Sequence, residues 1–526
     1  MTLQPANLIS INITDPETGL VPQSIPVTGQ LTPPQIATAY HIPAATGYGI
    51  NIGIFSFGGG FLQSDLNKSW ADLQAAGLLP STYTVPTIKQ VLLDTQTGTF
   101  SSTDNASGEN TVDIFCAATM APQANITIYI GDLFQSLVTQ AIADGMHIIT
   151  CSWGGTEYTS DEPYFQQLAE AKITFLVASG DNGSVAYSGY TSESVVYPAS
   201  SPWAISVGGT KLTLNVDNTR ATETDDNRDS SFGSSWGGGG GISTTFSLPS
   251  WQTGLTYTPI TGGVKGSPTP LTMRGSPDIS SPMNVYGLYF NGVVSGYGGT
   301  SLASPTMAGI LARLRQLSGK AYSSPDWNTI AYANTGSFYD ITVGTNNDSI
   351  SNGYAGTIGW DCVTGLGPPT GSLMYKLIRT GDVFPKGNYG FRSTGVAYPR
   401  TTTNITRPTS TGIGTSYTPA QYGVDGTHPS PVFYTSGVPA PYNTLIAFTN
   451  PPAPFLTVLQ NLTSGQTISW VQSTDGIRYT WTVTGPATYV LIPGAFYAWS
   501  VPTTGIITPA GTVNSGIDGT SNLIIT

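Results

Sequence analysis

The chain has 526 residues, and only 9 % of them are charged, against about 25 % in an ordinary soluble protein. A net charge of −12 argues against a nucleic-acid-binding surface, and with 18 basic groups few carboxylate pairs exist for acid to break, as expected of an acid-tolerant protein. A hydrophobic content of 39 % and an aromatic content of 10 % exclude a disordered chain, and the length predicts one large domain with a smaller one attached.

Residues 1–30 are polar and contain proline, and are read as an extended arm. From residue 31 the pattern alternates. "LTPPQIATAYHI" predicts a short helix opened by prolines, "GYGINIGIFSFGGG" a buried strand ending in a glycine turn, and "LQSDLNKSWADLQAAG" an amphipathic helix closed by glycine. "SGENTVDIFCAATMAP" reads as another short amphipathic helix. "ANITIYIGD", "GMHIITCSWGG", "KITFLVASGDNG" and "SPWAISVGGT" are short apolar strands. Such alternation predicts an α/β domain with a mostly parallel central sheet flanked by helices, and functional groups beyond the carboxyl ends of its strands. Residues 211–245 read as an excursion from that pattern, and 383–440, rich in Pro, Thr, Tyr and Gly, as a linker. Residues 441–526 carry β-type runs such as "TISWVQS", "RYTWTVTG", "ATYVLIPG" and "AFYAWSV", spaced for a small all-β, sandwich-like module.

Three cysteines do not make a disulfide scaffold. Cys116 and Cys151 lie in apolar runs and are expected as buried thiols, with a bridge through Cys362 left open. The first twenty residues have neither the basic nor the apolar region of a secretory signal, and no run is long and apolar enough to span a membrane.

The chemistry centres on "GGTSLASPTMAGI" at 298–310. It places Ser301 in a small-residue turn before a helix, where backbone N–H groups can hold an oxyanion. A nucleophilic serine needs a base. His147 lies in a buried strand and His41 in the first helix, and both read as structural. His428 follows "DGT" in the linker; that motif resembles the subtilisin histidine motif but puts Asp425 where the histidine belongs. The carboxylates offer more. Glu109 and Asp113 are spaced i, i+4 on one helical face. On a solvated face they would be a mildly repulsive pair. Buried, they cannot both ionise, and one pKa must rise.

"GENTVD", "VASGDNG", "YPASSPWAISVGGT", "WGGGGGIS", "PDIS" and "GGTSLASPTMAG" occur in this order, within a region running from "LTPPQIATAYHIP" to "GLGPPTG". The ordered set resembles the sedolisin family, serine-carboxyl peptidases of subtilisin-like fold. The resemblance implies a peptidase domain over 31–382. Ser301 would be the nucleophile, Glu109 the general base, Asp113 its hydrogen-bonded partner, and Asp181 a protonated oxyanion donor. An acid can donate to an oxyanion only while it keeps its proton, and a glutamate base works best near its own pKa. Both demands predict an acid-active endopeptidase, acting as a monomer on protein or peptide substrates in an extracellular or acidic compartment. Ser152, Trp153 and Gly154 would pair with an extended substrate as an added strand. "FYDITVGTNND" and "TIGWDCVTGLG" resemble the family's calcium loop, implying one Ca2+ held by Asp340, Asp361 and the carbonyls of Ile341, Thr357 and Gly359. A rival reading is a catalytically silent attachment protein that works through its C-terminal β-module.

Overall fold

The computed structural model describes residues 4–5, 9–11, 24–27, 29–80, 83, 86–225, 236–347 and 350–380, together with the C-terminal strands named below. The chain divides into two compact units, Met1–Val383 and Phe384–Thr526.

In the first unit the strands are β1 (Gln4–Pro5), β2 (Ile9–Ile11), β3 (Asn51–Ser56), β4 (Lys89–Leu92), β5 (Asn125–Ile130), β6 (Ile148–Cys151), β7 (Trp153–Gly154), β8 (Thr174–Ala178), β9 (Ile205–Leu214) and β10 (Arg220–Asp225), followed by shorter strands. The helices are α1 (Pro33–Ala39), α2 (Gln63–Ala75), α3 (Asn105–Met120), α4 (Phe134–Ala143), α5 (Glu162–Glu170), α6 (Thr300–Ser318), α7 (Ser324–Ala333) and α8 (Gly371–Thr380). The main sheet runs β10-β9-β8-β6-β3-β5-β4, and the strand Ile279–Pro282 adds to β9. Every pairing in it is parallel except the β9–β10 hairpin. This is the subtilisin-like α/β architecture that the motif order implied.

Neighbouring side chains along each strand point to opposite faces of the sheet. The central strands are apolar on both faces, so each supplies two cores. Ile54, Ile128, Ile148 and Leu176 join a cluster with α3 and α6 residues. Phe55, Tyr129, Ile149, Phe175 and Val177 join a second cluster with Phe134, Leu137 and Phe165 of α4 and α5. The sequence predicted α3 as amphipathic. It is instead buried on every face from Ser107 onward, packed mainly against α6. Close approach of the two helices depends on Gly309. A Cβ there would lie 2.6 Å from Met120 Cβ and 3.0 Å from the Ala117 carbonyl oxygen.

The arm is not free. β1 pairs antiparallel with β7, and β2 pairs antiparallel with the strand Val293–Gly298. All three cysteines are buried free thiols, so no bridge forms through Cys362. No helix among the described residues is long and apolar enough to cross a membrane. In the second unit, Leu456–Asn461 pairs with Thr488–Pro493, and Thr467–Gln472 pairs with both Tyr479–Thr484 and Thr504–Ile507, all antiparallel. The run "AFYAWSV" and most of the expected linker lie outside the described residues.

The "PDIS" segment carries a buried ionic hub. Arg274 Nη1 donates to Asp278 Oδ1 at 2.8 Å and Nη2 to Oδ2 at 2.5 Å, with both side chains fully buried. Asp278 also accepts from the Ser206 amide and the Tyr332 hydroxyl, each at 2.8 Å, which ties the strand Ile279–Pro282 and α7 to β9. Removing one partner of such a pair strands a buried charge, at a cost of about 3–5 kcal/mol. Arg274→Met is therefore expected to lower urea-unfolding stability by that amount at pH 6. A loss below ~1 kcal/mol, the range of exposed pairs, would refute the hub.

Candidate active site

Four elements converge beside the N-terminus of α6. Ser301 is the second residue of that helix. Glu109 and Asp113 come from α3, whose N-cap Asp104 accepts from the Ser107 amide at 2.5 Å and so fixes where the helix starts. Asp181 lies in the turn after β8, and Ser152 directly follows β6. All five side chains are fully buried.

Local backbone needs explain the motif glycines. Gly299, the N-cap of α6, has φ +142°, and a Cβ there would lie 2.8 Å from Asp181 Oδ2. The next amide, Thr300 N–H, donates to Asp181 Oδ1 at 2.6 Å. The run "WGGGGG" backs the "SGDNG" turn. The Gly237 amide donates to the Asp181 carbonyl at 3.1 Å and the Gly239 amide to the Gly180 carbonyl at 2.6 Å. A Cβ on Gly239 would lie 2.4 Å from the Ser179 carbonyl oxygen. These two glycine-rich segments thus clamp Asp181 between them.

The electrostatics follow from burial. Burial and the neighbouring Asp113 charge push Glu109 well above the usual carboxylate range, while the Ser301 hydroxyl pulls it back in part. The Ser301 hydroxyl thus faces the Glu109 carboxyl. Asp113 is likewise pushed well up by burial, and the Ser152 hydroxyl, donating to its Oδ1 at 2.7 Å, opposes that. Asp181 is raised by burial from its ordinary 3.8 to about 6, against the lowering effect of the Thr300 amide and hydroxyl. Its Oδ2 has no partner and is aimed over Gly299. No lysine, arginine or histidine is among the groups setting these three acids.

The other candidates fall as follows. Trp153 and Gly154 form β7 and are paired with the arm. Ser152 lies outside that ladder, and its hydroxyl holds Asp113; the sequence carried no signal for this contact. His147 Nδ1 accepts from the Asn51 amide at 3.0 Å, a structural bond far from Ser301. His428 lies outside the described residues. Asp340 and Asp361 are brought together. The Gly359 amide donates to Asp340 Oδ2 and the Thr357 amide to Asp361 Oδ2, at 2.8 and 2.9 Å. Asp361 is raised to about 7 by burial, with the Asp340 charge adding to it and backbone donors opposing it. Among the described residues no three His, Cys, Asp or Glu side chains gather as a metal site, so any cation here would rely on backbone carbonyls.

The fold and the clustered serine and carboxyl groups define a subtilisin-like chain whose site holds acids where a histidine would be expected. The subtilase family model matches residues 98–333, which include Glu109, Asp113, Asp181 and Ser301. The chain is 32 % identical over 371 residues to kumamolisin from Bacillus sp. (strain MN-32), covering 66 % of this chain and 63 % of that protein. It is 32 % identical over 260 residues to sedolisin from Pseudomonas sp. (strain 101), covering 46 % and 42 %. The chain thus spans less than two thirds of the length of these curated relatives. A solved structure of Pseudomonas sedolisin, a serine-carboxyl proteinase complexed with pseudo-iodotyrostatin, matches with TM-score 0.55 and 26 % identity, over 67 % of this chain and 98 % of that one. The chain is thus similar to the sedolisin family of serine-carboxyl peptidases and shares its subtilisin-like fold.

The raised acids make a stability prediction. A carboxyl whose pKa is higher folded than unfolded binds its proton more tightly in the native state. Its stabilisation is full below the unfolded value and is lost as pH rises through the folded one. For Asp181 the window is pH 3.8 to about 6, and a shift of that size is worth about 3 kcal/mol. Glu109 and Asp113 act in the same direction. Urea stability should therefore fall between pH 4 and pH 7, and Asp181→Asn should flatten that fall by about 3 kcal/mol. Parallel curves for the two proteins would show that Asp181 titrates normally.

Proposed function

We propose that the chain is an acid-active serine-carboxyl endopeptidase with Ser301 as nucleophile, Glu109 as general base, Asp113 as its partner and Asp181 as oxyanion donor. The observation that carries this is the burial of three carboxyl groups around one serine, with no cationic side chain among the described groups that set them. Ser301 Oγ attacks the carbonyl carbon of the scissile peptide and gives its proton to Glu109. The oxyanion forms beside Asp181 Oδ2. Because the Thr300 amide occupies Oδ1, the Asp181 proton resides on Oδ2 and is donated from there, with the Ser301 N–H as second donor. Collapse breaks the C–N bond, and Glu109 returns the proton to the leaving amine. Water then hydrolyses the acyl-enzyme with Glu109 again as base.

In the working state the Glu109–Asp113 pair carries one proton, on Asp113, since two adjacent buried carboxylates cannot both ionise. Ser152 supports this by fixing Asp113 Oδ1 as an acceptor, which leaves Oδ2 for the proton.

The test is hydrolysis of an unfolded protein at pH 4 and pH 7. Activity is expected at pH 4. Deprotonation of Asp181 above about 6 should lower it roughly tenfold by pH 7. Ser301→Ala and Glu109→Gln should abolish it, and Asp181→Ala should cost about 10²–10³ in kcat. Activity surviving Ser301→Ala, or an optimum above pH 7, would overturn the mechanism.

One calcium ion fits the Asp340–Asp361 pair, whose facing charges have no cationic partner among the groups that set Asp361. Carbonyls of Ile341, Thr357 and Gly359 would complete an oxygen shell. Bound there, the ion would cross-link two loops and neutralise their charge. At a free concentration 100 times Kd, a ligand bound only to the native state adds about 2.7 kcal/mol. Chelator should therefore lower the Tm, and Asp361→Asn should remove that response. An unchanged Tm under chelation would exclude the site.

A further inference from the structure

A small recess opens at the far end of α6, roughly 21 Å along the helix from Ser301. Its volume is about 270 Å³ including its open mouth, smaller than the pockets that take drug-sized ligands. Leu311 of α6, Ile148 at the start of β6, Trp327 of α7, Ile378 of α8 and Tyr322 line it with apolar surface. Polar atoms of that wall satisfy one another. The Thr174 hydroxyl donates to the Tyr322 carbonyl and the Tyr322 hydroxyl to the Ile378 carbonyl, each at 2.7 Å. Two cations complete the lining: Arg315, one helical turn on from Leu311, and Lys320, just past the glycine that ends the helix.

Neither is an ordinary solvated cation. Both are half-buried, and among the described residues neither forms an ion pair. Asp326, the acid next to Trp327, is held by Lys172 at 2.7 Å and by the Ser323 cap. Burial pulls the Arg315 guanidinium below its ordinary pKa, with no carboxylate among the groups that set it. Its Nη1 donates to the His147 carbonyl at 3.3 Å. The negative end of the α6 dipole favours cations here, but it does not require one to be half-buried against an apolar wall. In a chain with 18 basic groups and a net charge of −12, two such cations around one recess call for an anion.

We propose that this recess binds the C-terminal end of a peptide whose last side chain is apolar, with the carboxylate between Arg315 and Lys320 and the side chain against Leu311 and Trp327. A guanidinium fork matches a carboxylate, and the apolar wall beside it selects what the carboxylate is attached to. The small volume excludes a long acyl chain, so anion and apolar group must sit close together, as they do on one amino-acid Cα. An α-ammonium beside the same two cations would be repelled. The nitrogen must therefore be acylated, which excludes a free amino acid. Peptide hydrolysis leaves ends of this kind, but binding them needs no catalysis and does not rest on the peptidase reading.

The test titrates the full chain with N-acetyl-leucine at pH 6, where the ligand carboxyl is ionised. It follows the imidazole Cε1–H NMR signals of the three histidines. His147 is the reporter, because its pKa is lowered by burial and by the charge of Arg315. An anion seated on Arg315 should shift the His147 signal saturably and raise its pKa. N-acetyl-leucinamide lacks the charge, acetate lacks the side chain, and free leucine carries the ammonium; each should bind about tenfold more weakly. Arg315→Gln should weaken N-acetyl-leucine binding about tenfold and Lys320→Gln about threefold. Lys320→Gln, past the end of the helix, decides the matter if Arg315→Gln fails to fold. The proposal is overturned by no saturable shift up to about 20 mM, well above the mM affinity expected of so small a ligand. It is equally overturned if any of the three controls binds as well as N-acetyl-leucine, or if Lys320→Gln leaves the affinity unchanged. Cleavage of an unfolded protein is scored on the same preparation: binding by an inactive chain keeps the recess and removes the peptidase, and cleavage without binding does the reverse.

Discussion

Burying three carboxyl groups together, with no cationic side chain among the groups that set them, is the constraint on which the rest of this structure depends. Each acid alone would carry a large desolvation penalty if ionised. Together they repel, and the site lowers its energy by keeping protons. Everything nearby either tolerates or exploits that state. The Thr300 amide and the Ser152 hydroxyl each satisfy one oxygen of an acid and leave the other oxygen to hold a proton. The same feature links the proposed function to stability, because the protons that limit the charge of the site also favour the native state. Low overall charge is consistent with this economy: few surface pairs exist for acid to break.

Geometry at this site is set by close backbone approach. α3 brings Glu109 and Asp113 to α6 because Gly309 has no side chain between them. Asp181 reaches the start of α6 because Gly299 has none and adopts φ +142°. The clamp behind Asp181 is built from glycines for the same reason. Such contacts are rigid, since nothing flexible intervenes, and rigidity suits the proposed oxyanion site, whose donors must be in place before charge develops.

Much of this was legible in the sequence where periodicity was strong. The apolar runs at β3, β5, β6, β8 and β9 read as buried strands, and the motif order placed Ser301 and the acids in one family. β4 escaped notice because "KQVL" is an edge strand with most of its side chains toward solvent, so it has no apolar signature. α3 was misread as amphipathic because Glu109, Asn110 and Asp113 mark a polar face that tertiary packing covers with α6. The Ser152 contact was not legible, since a sequence cannot show that its hydroxyl turns inward to Asp113. The arm looked merely extended, because strand pairing is a property of the edges it meets and not of its own residues.

Burial also explains why a carboxylate suits the base position in the proposed reaction. When histidine accepts the serine proton, two charges appear, an imidazolium and an oxyanion, and a dry site must stabilise both. When Glu109 accepts it, a charge already present moves from the carboxylate to the oxyanion, and the net charge of the site is unchanged. The problem is then to keep a second negative charge away from where the first arrives. An ionised Asp181 would be that second charge, 2.6 Å from the Thr300 amide that begins the helix bearing the nucleophile. A neutral Asp181 turns the same position into a donor. The pKa of about 6 imposed by its burial is thus what lets one buried acid serve beside another, and the pH at which it loses its proton bounds the range in which both can do so.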